Sequence, residues 1–153
     1  MKRKKPAPEP GVAATISVLN RQRARRAPVA ALQKFTRRAL GACLKLPSQT
    51  SVLAGLAELS VVLVSDRRMA ELHRRFLQLP GPTDVITFQH GEIFVSVETA
   101  RRNARRFGNS LERELCLYIA HGLLHLHGLD DKDPAKAARM ERAQEKLVAG
   151  MHP

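Results

Sequence analysis

The sequence predicts an α+β fold, a small mixed β-sheet of about four strands packed with about five helices, and three observations carry that prediction. Short runs rich in β-branched residues at 15–20, 58–65 and 92–97 are interleaved with stretches of helical period, the order expected of sheet and helix layers. Residues 83–89 and 92–97 (TDVITFQ and EIFVSV) are separated only by His90 and Gly91, which predicts an antiparallel pair, a hairpin. Residues 110–127 are apolar almost without interruption, so this helix is expected to pack across the sheet, with a metal site at its end.

Taken in order, residues 1–14 mix Lys, Pro, Glu and Ala without periodicity and read as a disordered basic tail, leaving 15–153 as a single domain. Thr15 to Asn20 (TISVLN) alternates as a first strand, and Arg21 to Arg26 form a basic loop. Pro28 suits the first position of a helix that sets Val29, Leu32, Phe35, Ala39, Leu40 and Leu44 at helical spacing, with Arg37 and Arg38 on the wet side. Glu58 to Ser65 reads as a buried strand, and Ser65 caps a helix that begins at Asp66 and ends before Pro80. Pro80, Gly81 and Pro82 force a turn into the hairpin. Glu98 to Phe107 forms a short amphipathic helix stopped by Gly108, with Arg101, Arg102, Arg105 and Arg106 clustered on it as a candidate phosphate-binding face. The central helix starts near Asn109 or Ser110, with Glu112 and Glu114 in its first turn where the helix dipole favours negative charge, and ends at Gly128. Pro134 opens a last helix that turns Met140 and Leu147 to the core.

Charge narrows the partners. The net charge is +12, and residues 1–50 hold twelve Lys/Arg against one acid, so the basic character is concentrated there. Such an excess fits a polyanionic partner, most simply nucleic acid bound through phosphates; a solubilising tail is the blander account. Cys43 and Cys116 form no CxxC pair and sit in apolar helical surroundings, which fits a reduced, cytoplasmic protein in which neither thiol is a nucleophile. No apolar run is long enough to cross a membrane, so no membrane partner is expected.

The chemistry centres on His121 and His125. Four residues apart on a helix, they share one face, where two imidazole nitrogens can bind one ion. Past Gly128 the chain turns, which lets Asp131 fold back as a third ligand and completes the pattern HxxxHxxxxxD. Three protein ligands with an open position are the arrangement of a catalytic zinc site. Gly122 stands where a HExxH metalloprotease carries its general base, so peptide hydrolysis by that route is excluded. An HxxxH pair alone also occurs as two partly buried histidines with no metal; the flanking glycines and acids favour the site.

The segment His121-Gly-Leu-Leu-His125-Leu-His-Gly128-Leu-Asp130-Asp131 resembles the HGxLHLxGYDH signature of the YbeY-type endoribonucleases. The likeness extends through Pro82-Thr-Asp84-Val-Ile-Thr-Phe88, Gly91-Glu-Ile-Phe-Val-Ser96 and Glu112-Arg-Glu114-Leu, and covers roughly residues 15–149. It implies a metal-dependent endoribonuclease of single-stranded RNA, with a Zn2+-like ion on His121, His125 and Asp131, acting on ribosomal RNA in small-subunit 3′ end maturation and ribosome quality control. Ribosomal proteins are the further partners it implies. Three departures stand out: Asp131 where the family has His, Leu77 where an Arg is expected beside the metal pocket, and His73 where Asn is usual.

An Asp oxygen is an accepted zinc ligand at ~2.0–2.2 Å, though it lowers the net charge of the loaded site by one. Loss of the Arg removes a phosphate clamp, for which Arg74 or Arg75 is the alternative source, although helical geometry points both elsewhere. His127 falls off the metal-facing side and reads as structural or RNA-facing, Asp130 as a turn cap or a partner that orients a histidine, and Thr83 and Asp84 as fixing the strand entry. Two rival functions remain: a ribosome-associated RNA-binding factor with weak or no catalysis, and a metallohydrolase of a small substrate. RNA binding without metal-dependent turnover marks the first, and RNA affinity indifferent to salt marks the second.

Overall fold

The computed structural model describes residues 14–149. Its strands are β1 (Thr15–Asn20), β2 (Glu58–Val64), β3 (Val85–Phe88) and β4 (Glu92–Ser96), and its helices are α1 (Val29–Leu44), α2 (Asp66–Leu77), α3 (Val97–Phe107), α4 (Leu111–Leu126) and α5 (Pro134–Ala149). The expected tail lies outside the described residues except for Ala14, which packs against the core.

The four strands form one mixed sheet in the order β1-β2-β4-β3. β1 and β4 flank β2 in parallel, and β3 runs antiparallel to β4 with Val85 opposite Val95 and Phe88 opposite Glu92. Strand alternation then sorts the side chains. Leu59, Val61, Leu63, Ile93 and Val95 join the large core with α1 and α4, whereas Val62, Val64 and Ile86 join Met69 and Leu72 of α2 in a smaller one on the other face. β2 is covered on both faces, which is why its sequence reads as an apolar run with little alternation.

α4 lies against the hairpin at close range because of Gly122. A methyl group there would sit 2.8 Å from Ile93 Cγ2 and 2.9 Å from Thr87 Cγ2, so only glycine lets the helix come this near. Leu115, Ile119, Leu123 and Leu124 on the same helix are fully buried, each worth about 1.5–3 kcal/mol of transfer free energy.

Several boundaries differ from the sequence reading, and one element is new. Pro28 caps α1 rather than occupying its first turn, its carbonyl accepting from Leu32 N at 2.9 Å. α2 stops at Leu77, two residues early, because Gln78 adopts a left-handed φ of 56° and donates to the Arg74 carbonyl at 3.1 Å, closing the helix end. A 3-10 turn at Leu53–Gly55, which buries Leu53, has no periodicity to announce it.

At the β1 edge, Gln33 of α1 bonds the strand as a neighbour would: its Nε2 donates to the Ile16 carbonyl at 2.8 Å and its Oε1 accepts from Val18 N at 3.3 Å.

Candidate metal centre

The C-terminal half of α4 carries the expected pair. Ser110 caps the start of the helix by accepting from Arg113 N at 3.1 Å, and the run of buried leucines fixes its rotation against the sheet. That rotation leaves His121 and His125 half-buried with their Nε2 atoms 2.9 Å apart. At Gly128 the backbone takes φ +100°, and a Cβ there would meet Thr50 Oγ1 at 2.2 Å, so glycine is required for the turn. The turn returns Asp131 until its Oδ2 lies 4.0 Å from His121 Nε2. One ligand atom from each of the three lies within 4.8 Å of the others, a cluster that could hold a metal ion.

The donor set fits such an ion. Two imidazole nitrogens aimed at one point compete for a single proton, and their lone pairs and a carboxylate oxygen are the ligands of a two-histidine, one-carboxylate site. Burial, and then the neighbouring His121, hold the His125 imidazole below its usual pKa, which keeps it in the neutral form that binds metal.

His127 has another task. It is buried at 3% exposure, with Nδ1 2.7 Å from Ser51 Oγ and Nε2 2.8 Å from the Leu46 carbonyl, while Ser48 Oγ donates to its backbone carbonyl. It ties the end of α4 to the loop after α1. Asp130 bonds Lys132 N at 3.1 Å and sits 3.6 Å from Lys136 Nζ, so it holds the turn rather than orienting a histidine. Asp84 Oδ1 accepts from Val85 N at 2.8 Å and its carbonyl accepts from Ser96 N at 3.0 Å, which fixes the entry to β3 as expected.

Of the candidate RNA contacts, Arg74 and Arg75 are exposed in the last turn of α2, and Leu77 beside them is 51% exposed with no charge to offer. His73, in the place of the usual Asn, pairs its Nδ1 with the Gly81 carbonyl at 2.9 Å and orders the turn. On α3, Arg105 and Arg106 are exposed, with Arg106 over the Phe107 ring. Arg102 is committed to Asp66 at 2.6 Å, an ion pair that also takes hydrogen bonds from Ser96 and Thr99 and clamps α2 to α3. Arg101 lies near Arg25 and Arg105, whose charges, the largest influence on it, lower its pKa; its Nε is buried without a hydrogen-bond partner. From the sequence Arg25 reads only as part of a basic loop, because nothing local brings it to α3.

A cavity of about 390 Å³ adjoins His121 and is lined by Asp84, Asn109, Glu114 and Tyr118 among others. Glu114 is buried there and accepts from Asn109 Nδ2 at 2.6 Å, while Tyr118 OH accepts from Asn103 at 2.7 Å. Its position in the first turn had marked Glu114 only as a dipole partner. Burial raises the Cys43 and Cys116 thiols to about 12, so neither is reactive at neutral pH. Among the described residues no helix is long and apolar enough to cross a membrane.

The sequence and the overall fold have known counterparts. The family model described as Endoribonuclease YbeY matches residues 17–152.

The chain belongs to the YbeY endoribonuclease family.

Two curated relatives carry the name Endoribonuclease YbeY. The Bacteroides thetaiotaomicron protein is 39% identical over 101 residues, covering 61% of this chain and 74% of the relative. The Moorella thermoacetica protein is 39% identical over 118 residues, covering 65% and 76%. A Thermotoga maritima protein solved in solution superimposes with a TM-score of 0.62 at 28% identity, over 90% of this chain and 89% of its own. Membership in the YbeY family makes the chain an RNA-cleaving hydrolase by class.

Proposed function

We propose that residues 15–153 act as a single YbeY-like domain that cleaves single-stranded RNA, with one Zn2+ held by His121, His125 and Asp131. The observation that carries this reading is the convergence of the two Nε2 atoms, 2.9 Å apart, with the Asp131 carboxylate at 4.0 Å. An ion held there supplies a Lewis acid for a phosphate oxygen and for water.

The remaining work falls to the chain's own groups. His121 and His125 direct their Nε2 atoms at one point, and burial holds the His125 imidazole toward its neutral form. Asp131 offers charge to the cation from an exposed turn, so the site stays open on that side. Arg101, Arg105 and Arg25, a group of like charges, lower their mutual repulsion by taking phosphates.

The substrate we infer is ribosomal RNA, in 3′ end maturation of the small subunit and ribosome quality control, in the cytoplasm and in contact with ribosomal proteins. The basic charge of the chain and the family of its relatives support that inference. A second reading, an RNA-binding factor with weak catalysis, is favoured by one observation: exposed Leu77 at the end of α2 gives a phosphate nothing to bind.

The deciding experiment incubates zinc-loaded protein with labelled single-stranded RNA, with and without chelator, beside His121→Ala and Asp131→Ala. Cleavage by the parent alone supports the nuclease with this ligand set. RNA binding without cleavage supports the binding factor, and cleavage by every sample exposes a contaminant.

A further inference from the structure

The chain has five phenylalanines, and three of them meet on the α2 face of the sheet. Phe88 stands edge-on to Phe76 at 5.2 Å and to Phe94 at 5.6 Å, and the His90 ring lies stacked on Phe88 at 5.7 Å with 22° between the planes. Packing accounts for Phe88 and Phe94, which are partly buried against the smaller core. It does not account for Phe76, 53% exposed, or for the His90 side chain, 66% exposed. Glu92 pairs with His90 Nε2 and holds its ring in place, and the Arg75 guanidinium lies 5.5 Å from the Phe76 ring.

The place of this cluster matters as much as its chemistry. β3 is an edge strand of four residues, and Thr87 points from it toward Gly122, the neighbour of His121. Phe88 is the next residue, so alternation sends its ring to the opposite face. At this edge of the sheet the aromatic cluster and α4, which carries the histidines, therefore lie on opposite faces of β3.

We propose that Phe76 and His90, backed by Phe88, form a base-stacking platform that holds a nucleotide of single-stranded RNA as the strand passes the β3 edge of the sheet. This rests on the endoribonuclease reading and adds to it a recognition element that is not phosphate-directed. Every base presents a π face, so rigid exposed rings bind single strands with little dependence on sequence. Arg75 and Arg74 next to the rings complement the charge of the strand, and a guanidinium stacked on an aromatic ring can extend the stack to a further base. Leu77, exposed on the same end of α2, widens the apolar surface rather than adding charge.

The test measures binding of a short fluorescein-labelled single-stranded RNA to the full chain in chelator, where cleavage is suppressed. Phe76→Ala and His90→Ala should each weaken binding about tenfold, and Phe76→Leu, which keeps apolar bulk without a π face, should weaken it similarly. The deficit should persist as salt rises, because it is not carried by phosphate contacts. The chain has no Trp, so Phe76→Trp reports stacking directly: its emission should be quenched by RNA, and less so by the same strand with abasic positions. Affinity unchanged in both alanine variants, while the parent binds and cleaves RNA, overturns the platform. A parent chain that neither binds nor cleaves RNA fails earlier, and that result rejects the endoribonuclease reading itself.

Discussion

His125 and His127 are two residues apart in one helix end, and their surroundings give them opposite work. His125 is half-buried with a ring nitrogen directed at another ring nitrogen, which leaves a demand for a cation. His127 is buried with both ring nitrogens occupied, by Ser51 and by the Leu46 carbonyl, which leaves no demand at all. Residue type and helix end are shared; the partners decide the chemistry. One histidine joins a cluster that could hold an ion, and the other serves the fold.

The sharpest way to draw that line is to remove them separately. His125→Ala should abolish stoichiometric metal, measured by atomic absorption, and lower RNA cleavage by more than about 100-fold with little change in the melting temperature. His127→Ala should do the reverse. It leaves Ser51 and a buried carbonyl short of a partner, costing about 2–3 kcal/mol in chemical denaturation while metal stoichiometry holds. Loss of metal in His127→Ala with stability intact would break the comparison.

Gly122→Ala joins the two halves. The added methyl meets Ile93 and Thr87 at under 3.0 Å, so the helix must back away from the hairpin, at about 1–3 kcal/mol and with weaker metal binding as His121 moves with it. A variant as stable as the parent would show that the sheet yields instead.

The smallest effect belongs to a clamp remote from both histidines. Burial raises the Asp66 pKa, but hydrogen bonds from Arg102, Ser96 and Thr99 outweigh it and the net shift is downward. A lowered folded pKa contributes stability above the unfolded value, near 3.8, and that contribution is lost as pH falls through the folded value below it. Asp66→Asn should therefore cost about 1–2 kcal/mol at neutral pH and lose that deficit in strong acid, with metal content unchanged. A deficit constant down to acid pH would contradict the assignment.

The sequence disclosed most of this where the signal was local. Periodicity, Ser65 and Ser110 as caps, Gly108 as a stop and the β3–β4 hairpin all appear as read, because each depends on neighbours in the chain. The His121, His125 and Asp131 cluster, which could hold a metal ion, was legible because two of its members sit on one helix face and the third follows the turn. What stayed hidden depends on residues far apart in sequence. Arg25 reaches Arg101 across 76 positions by chain folding alone, Arg102 turns out to serve Asp66, and Phe76 finds Phe88 and His90 only when α2 docks on the sheet. Gln78, which ends α2, is left-handed without being glycine, so no residue preference marked the helix end.

The contact of Gln33 with β1 bears on how the molecule behaves in a crowd. An edge strand with free amides and carbonyls is a template for another chain, and the amide of Gln33 engages Ile16 and Val18 at the positions a foreign strand would use. The opposite border, β3, is only four residues long, which limits the ladder it could offer. The protein thus guards one side of its sheet by occupancy and the other by brevity, and replacement of Gln33 by alanine would leave β1 free to seed intermolecular sheet growth and precipitation at high concentration.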